Sequence, residues 1–395
     1  MGAEASMKHS YRWEEVENLL TEAAHSWDVT KCDSRKVFPG AVISVYLKGM
    51  PVYEQAFGCR SLVPEVTLAQ IDTVYDVASL TKVLVTTTLL MKLVAKGRVS
   101  LDKRLSHLLQ TFGTLGKQDI TIKHLLAHCA GFAATEPFYK EIMRAHEGER
   151  AGMLHSRGAA DMVYHQIYRA PLKYKPGTKS IYSDVDFLLL GHLIESLEGG
   201  KPLERIAYKE IFKPLGMKAT GYIHLNTLKS SRITPVAEMI APTSDCPMRG
   251  RVLNAEVQDE NAWAMGGVAG HAGIFSTATD VQRFATEMLN CYSGKSEFIP
   301  KKIVQEFWTK DETVENSSWA LGWDTPSPDE SSSGKLFSPE SVGHLGYTGC
   351  SLWIDPKREV SVVLLSNRVH PSIENKNIKR FRPKLHDAVM KALGF

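Results

Sequence analysis

The chain has 395 residues, 43% of them hydrophobic and 23% charged, which suffices for a sizeable core in two packed layers or two domains and excludes a disordered polymer. Its formal charge is +3 with the basic residues dispersed, so the electrostatic footprint of a nucleic-acid or polyanionic partner is missing. The six cysteines, Cys32, Cys59, Cys129, Cys246, Cys291 and Cys350, make no C-x-x-C pair and no regular spacing, which points to reduced, mostly buried thiols and not to a disulfide framework or zinc knuckle.

Residues 1–9 contain no apolar core of signal-peptide length, so the expected compartment is cytoplasmic. Gly2 opens a short, permissive N-myristoylation pattern over residues 2–6, to which we attach no weight. Val16, Leu19, Leu20 and Ala23 recur at helical spacing, and the apolar runs 41–47 and 52–56 flank Lys48-Gly49-Met50-Pro51 as an antiparallel hairpin. Between residues 79 and 198 the pattern is mainly helical, with apolar residues three and four apart over 79–96, 123–128, 136–147, 156–168 and 184–198. The uncharged run 261–279 contains four glycines and reads as strand or loop, not as a membrane span. The patch 326–333 reads as an exposed loop. Two further strands, 351–354 and 360–365, flank the turn Asp355-Pro356-Lys357-Arg358, and a helix follows over 377–393.

Both chain ends thus supply one antiparallel sheet. The expected organisation is a discontinuous sheet domain, 1–77 with 262–395, and an inserted mainly helical domain, 78–261, with Ser79 at the junction where pockets tend to lie.

Three motifs carry chemistry. Ser79-Leu80-Thr81-Lys82 stands at a helix start, where positions i and i+3 share a face and the first turn offers unpaired N–H groups. Burial of Lys82 there is expected to lower its pKa and let it take the serine proton. Further along, Tyr182-Ser183-Asp184 follows a Pro176-Gly177 turn and precedes another apolar helix, so Tyr182 can face a cleft as an acid–base group. The third motif, Gly343-His344-Leu345-Gly346-Tyr347-Thr348-Gly349, is a glycine-rich approach to a strand, where backbone N–H groups can come close to a substrate. His124 and His128 are followed by no carboxylate in zincin fashion and are read as structural, and Cys350 is read as packing.

Ser-x-x-Lys, Tyr-x-Asp and His-x-Gly in this order resemble the serine β-lactamase and penicillin-recognising superfamily. Residues 122–131 and 266–277 are also similar to segments that frame its cleft. Within it the chain is most similar to the class C branch, which includes class C β-lactamases, D-alanyl-D-alanine peptidases, D-aminopeptidases and family VIII carboxylesterases. The resemblance implies an α+β fold of β-lactamase/transpeptidase type, a central antiparallel sheet flanked by helices. It implies Ser79 as nucleophile with Lys82 and Tyr182 as proton carriers, and an oxyanion site built from the backbone N–H groups of Ser79 and Tyr347. Asp184, His344 and Gly346 would lie on the substrate side. No metal or organic cofactor is implied.

Two departures bear on the substrate. His344-Leu345 stands where class C β-lactamases have Lys-Thr, removing the fixed charge and hydroxyl that hold a β-lactam carboxylate. Asp184 replaces the usual Asn and, once ionised, only accepts hydrogen bonds; it could pair with Lys82, raise that lysine's pKa and shift base work to Tyr182. Both changes point to a small-molecule carboxylic ester without an anionic handle, handled by a monomer or homodimer away from membranes and nucleic acid. The alternatives are a β-lactamase or D-amino-acid peptidase, an acyltransferase if an alcohol outcompetes water, and a catalytically dead binding protein.

Overall fold

A computed structural model describes residues 11–26, 36–148, 150–225 and 237–395; Cys32 and the pattern at Gly2 lie outside them. The strands are β1 (Gly40–Leu47), β2 (Met50–Ser61), β3 (Thr67–Leu68), β4 (Tyr75–Asp76), β5 (Gly221–Tyr222), β6 (Asp245–Cys246), β7 (Arg251–Val252), β8 (Ile274–Ser276), β9 (Val342–Leu345), β10 (Ser351–Asp355) and β11 (Val360–Ser366). Six of them form one antiparallel sheet in the order β3-β2-β1-β11-β10-β9. The expected hairpin is present, with Ala41 opposite Phe57 and Leu47 opposite Met50, and β1 from the amino-terminal half pairs with β11 near the carboxyl end.

Alternation sorts the central strands onto two cores. Ile43, Val45, Val362 and Leu364 face the helices Glu14–Ala23 and Ile378–Ala392, meeting Val16, Leu20, Phe381 and Leu385. Val42, Val363 and Leu365 face the other way, into a larger cluster that runs on through the helical region. Because both faces are covered, β1 and β11 read as nearly continuous apolar runs. Five cysteines, Cys59, Cys129, Cys246, Cys291 and Cys350, are buried free thiols, and burial raises the Cys350 thiol to about 11. Among the described residues no helix is long and apolar enough to cross a membrane.

The helical region contains Ile122–Leu126, Tyr139–Glu147, Arg157–Arg169 and Asp184–Leu197, close to the expected spans. The helix after Ser79 departs from expectation. Residues Lys82–Thr87 form a wide π-helical segment before the α-helix Thr88–Ala95, a geometry that recurs at functional sites. Its widening lets Thr86 donate from Oγ1 to the Gly270 carbonyl at 2.6 Å, tying the helix to the loop before β8.

That loop crosses the helix Asp184–Leu197 at Gly191. A methyl group on Gly270 would stand 2.9 Å from the Gly191 Cα and collide with the Phe187 carbonyl. Gly270→Ala is therefore expected to lower stability by about 1–3 kcal/mol, read as an earlier urea midpoint with an unchanged slope.

Candidate active site

The short strand β4 aims the Ser79 turn. It pairs with β8, Tyr75 opposite Ser276 and Asp76 opposite Phe275, and Val77 N–H continues the contact to the Ile274 carbonyl. Ala78 then takes φ +47°, the left-handed region that side-chain-bearing residues seldom adopt. The buried Asp76 carboxylate holds this turn, accepting from Ala78 N–H at 2.8 Å and from Gln258 N–H at 2.7 Å. Burial raises its pKa to about 6 against the pull of those two N–H groups.

Ser79, Lys82, Tyr182 and Asp184 come together around one nitrogen. Lys82 Nζ lies 3.0 Å from Ser79 Oγ, 2.6 Å from Tyr182 Oη, 2.7 Å from Asp184 Oδ1 and 3.2 Å from the His271 carbonyl. The Lys82 side chain is fully buried and that of Asp184 is 21% exposed. Burial raises the Tyr182 pKa against the pull of the Lys82 charge, and Ser79 is close enough to act in the same direction as the lysine. Burial acts to lower the lysine pKa, as expected, but the Asp184 carboxylate and the Tyr182 oxygen reverse it, and the net shift is upward. The expectation of a lysine depressed by burial is thereby corrected: a contact supplied by residues 182–184 outweighs desolvation.

Tyr182 and Asp184 are held by their own helix start. Ser183 caps the helix Asp184–Leu197, its side chain accepting from Asp186 N–H, and Asp184 N–H donates to the Ala134 carbonyl at 2.8 Å. His128 Nδ1 accepts from Ser183 N–H at 3.2 Å and lies 3.4 Å from Asp186. Burial disfavours the charge on both groups, lowering the His128 pKa well below and raising the Asp186 pKa well above their ordinary values. His128 is thus structural, as is His124, whose ring closes a capping box with Thr121.

The third motif contributes backbone and not side chain. His344 is only 2% exposed, and its Nδ1 pairs with the Leu345 carbonyl at 2.9 Å. Burial and the Lys82 charge bring its pKa down to about 3, so its imidazole is uncharged at neutral pH and packs beside Tyr182. Gly346 abuts the Ser79 turn so closely that an added methyl would lie 2.6 Å from the Val77 carbonyl. The N–H groups of Ser79 and Tyr347 have no backbone acceptor among the described residues, which leaves them available to an oxyanion.

Two residues outside every motif, Trp319 and Asp259, complete the surroundings. Trp319 stacks on Tyr182, centroids 5.6 Å apart. Asp259 caps the helix Glu260–Ala264 and holds His271 Nε2 at 2.9 Å, fixing the loop whose carbonyl meets Lys82. Burial acts against the Asp259 charge, yet His271 and Ala262 N–H hold its pKa at about 2.

A serine hydroxyl, a buried lysine and a phenol gathered beside unpaired backbone donors at the edge of a six-stranded sheet form the arrangement that acyl transfer requires, within a β-lactamase/transpeptidase-like fold. Residues 18–382 match the family described as Beta-lactamase, and the chain belongs to that family, whose members are serine hydrolases. A protein of Escherichia coli (strain K12) named "Putative D-alanyl-D-alanine carboxypeptidase" is 32% identical over 362 residues, 85% of this chain and 80% of the relative. Among solved structures, EstCE1, described as a hydrolase with promiscuous acyltransferase activity, superposes with TM-score 0.70 at 19% identity, covering 95% of this chain and 97% of that one. The octameric penicillin-binding protein homologue from Pyrococcus abyssi gives TM-score 0.65 at 20% identity, covering 90% and 74%. At these identities the structural likenesses show the fold alone.

Proposed function

We propose that this chain is a serine esterase acting on small uncharged carboxylic esters. Ser79 Oγ bonds to the acyl carbon while its proton passes to the Tyr182 phenolate, formed once the Lys82–Tyr182 pair has given up one proton, and on to the departing alkoxide as the ester C–O bond breaks. Water then gives a proton to the regenerated phenolate and bonds to the acyl carbon, and the phenol returns that proton to Ser79 Oγ as the acid leaves. While Lys82 is charged its nitrogen has no lone pair, so it serves as a fixed cation that orients the serine and phenol oxygens.

The observation that supports an ester over a β-lactam is that neither position 344 nor position 184 supplies the cation or donor that a β-lactam needs. His344 is buried and neutral, and Asp184 is committed to Lys82. Esters also carry better leaving groups than amides. The likeness to the E. coli relative favours a second reading, a D-alanyl-D-alanine peptidase.

Initial rates on p-nitrophenyl acetate, butyrate and octanoate, on a chromogenic cephalosporin and on a peptide ending in D-alanyl-D-alanine separate the two. We expect ester turnover to dominate and to vanish in Ser79→Ala, by about a million-fold as for other removed serine nucleophiles. Dominant release of D-alanine or opening of the cephalosporin would overturn the ester assignment.

A further inference from the structure

The turn that carries Tyr347 N–H is held from behind by two buried arginines. Arg382, 5% exposed on the helix Ile378–Ala392, donates from Nη2 to the Gly346 carbonyl at 2.9 Å and to the Cys350 carbonyl at 2.6 Å. Arg368, 6% exposed, donates from Nε to the Tyr347 carbonyl at 2.9 Å, and its guanidinium lies 4.4 Å from the Tyr347 ring. Gly346 N–H closes on the Cys350 carbonyl at 2.7 Å and Gly349 N–H on the Gly346 carbonyl at 3.0 Å. Thr348 Oγ1 donates to the Asp76 carbonyl at 2.7 Å, docking the same turn on the strand before Ser79.

A buried guanidinium is costly unless something close by needs it. The charged and polarisable groups that act on Arg382 are Cys350, which favours its charge, and Arg368, which opposes it; burial brings it to about 10, so it stays cationic at neutral pH. Its acceptors are the carbonyls of one five-residue turn. In a trans peptide the C=O and N–H vectors are antiparallel. A donor that fixes the Gly346 carbonyl therefore fixes the Tyr347 N–H in the opposite direction, away from the carboxyl-terminal helix. The charge also polarises that peptide unit, because hydrogen bonds in series strengthen one another. Gly346 permits the arrangement, since its Cα lies against the Val77 carbonyl and the Cys350 side chain.

We infer that Arg382 is a positioning residue for acyl transfer, setting the direction and the donor strength of the Tyr347 N–H through the Gly346–Tyr347 peptide. The inference rests on the serine-hydrolase reading of Ser79 and Tyr347 given above, and it assigns a role to the helix Ile378–Ala392 through its contact with the Gly346 and Cys350 carbonyls.

The test compares the wild type with Arg382→Met, Arg382→Lys and Arg382→Gln on p-nitrophenyl butyrate, with folding checked by circular dichroism. A full loss of an oxyanion donor lowers kcat about 10²–10³-fold; a donor kept but misdirected lowers it about 10–100-fold. We expect that loss in Arg382→Met with KM within about threefold, partial recovery in Arg382→Lys, and an equal loss of affinity for a boronic acid that forms a tetrahedral adduct on Ser79. The infrared band of a ¹³C-labelled acyl-enzyme carbonyl should move to higher frequency in the variants, a change that reduced stability alone does not produce.

If Arg382→Met does not fold, Arg382→Lys and Arg382→Gln are read by the same infrared band. Unchanged kcat, boronate affinity and carbonyl frequency in any folded variant overturn the inference. Absence of an acyl-enzyme in the wild type overturns instead the serine-hydrolase reading on which it stands, so the two failures are distinct.

Discussion

Replacing Lys82 by methionine is expected to lower ester turnover by about 10⁴-fold, the upper range for disabling a positioned acid–base group, here Tyr182 once its orienting cation is gone, and to destabilise the fold at the same time. The nitrogen that orients Ser79 and Tyr182 disappears, and the largely buried Asp184 carboxylate loses its Lys82 partner. Breaking such a pair costs about 3 kcal/mol, at the low end of the buried range because Asp184 keeps 21% exposure. The two effects separate in the double variant. Lys82→Met with Asp184→Asn removes both charges, so most of the stability should return, while turnover stays low because no cation aligns the serine with the phenol. Urea unfolding and initial rates on the same preparations check this. Recovery of turnover along with stability would mean that Lys82 only fills and neutralises the site.

Much of this site was legible because its parts are local. Ser79 and Lys82 share a helix face by spacing alone, the strand pair 41–47 and 52–56 announces itself by apolar content on either side of a Lys-Gly turn, and the glycines at 343 and 346 mark close backbone approach. The identity of residue 184 even raised the possibility of an ion pair with Lys82. The sign of the lysine's shift was not legible, because it depends on whether a carboxylate about a hundred residues away lands nearer than the cost of burial can offset; at 2.7 Å it does. His344 illustrates the same limit. A histidine in a substrate motif suggests a recognition group, yet its ring is turned into the cluster of Tyr182 and Trp319, and only the backbone of that motif is free to act. Trp319, Asp259 and Arg382 escaped altogether, since each reaches the site through tertiary contacts and none repeats with a local period. The π-helical segment Lys82–Thr87 has no compositional mark either; the Thr86 contact that accompanies it is to a loop far along the chain.

The second large expectation concerns pH. Lys82 and Tyr182 form one coupled unit that must lose a single proton before the phenol can accept from Ser79, and such a pair titrates as a pair. The Asp184 charge raises the pKa of both members, the lysine by attraction and the phenol by repulsion of its anion. Removing that charge therefore lowers the pKa of the pair whichever atom gives up the proton. In Asp184→Asn the rising limb of kcat/KM against pH should move to lower pH, because the deprotonated form is reached earlier. The identity of the base should shift as well. With Asp184 present the lysine is held charged and Tyr182→Phe should cost about 10²–10⁴-fold; with Asn in its place the lysine can be neutral, take the serine proton directly, and the same Tyr182→Phe change should cost less. A double-mutant cycle over Asp184→Asn and Tyr182→Phe, each measured across the full pH range, reads both effects. An unmoved limb together with strictly additive losses would show that Asp184 neither tunes Lys82 nor selects the base, and that its closeness to the lysine is structural only.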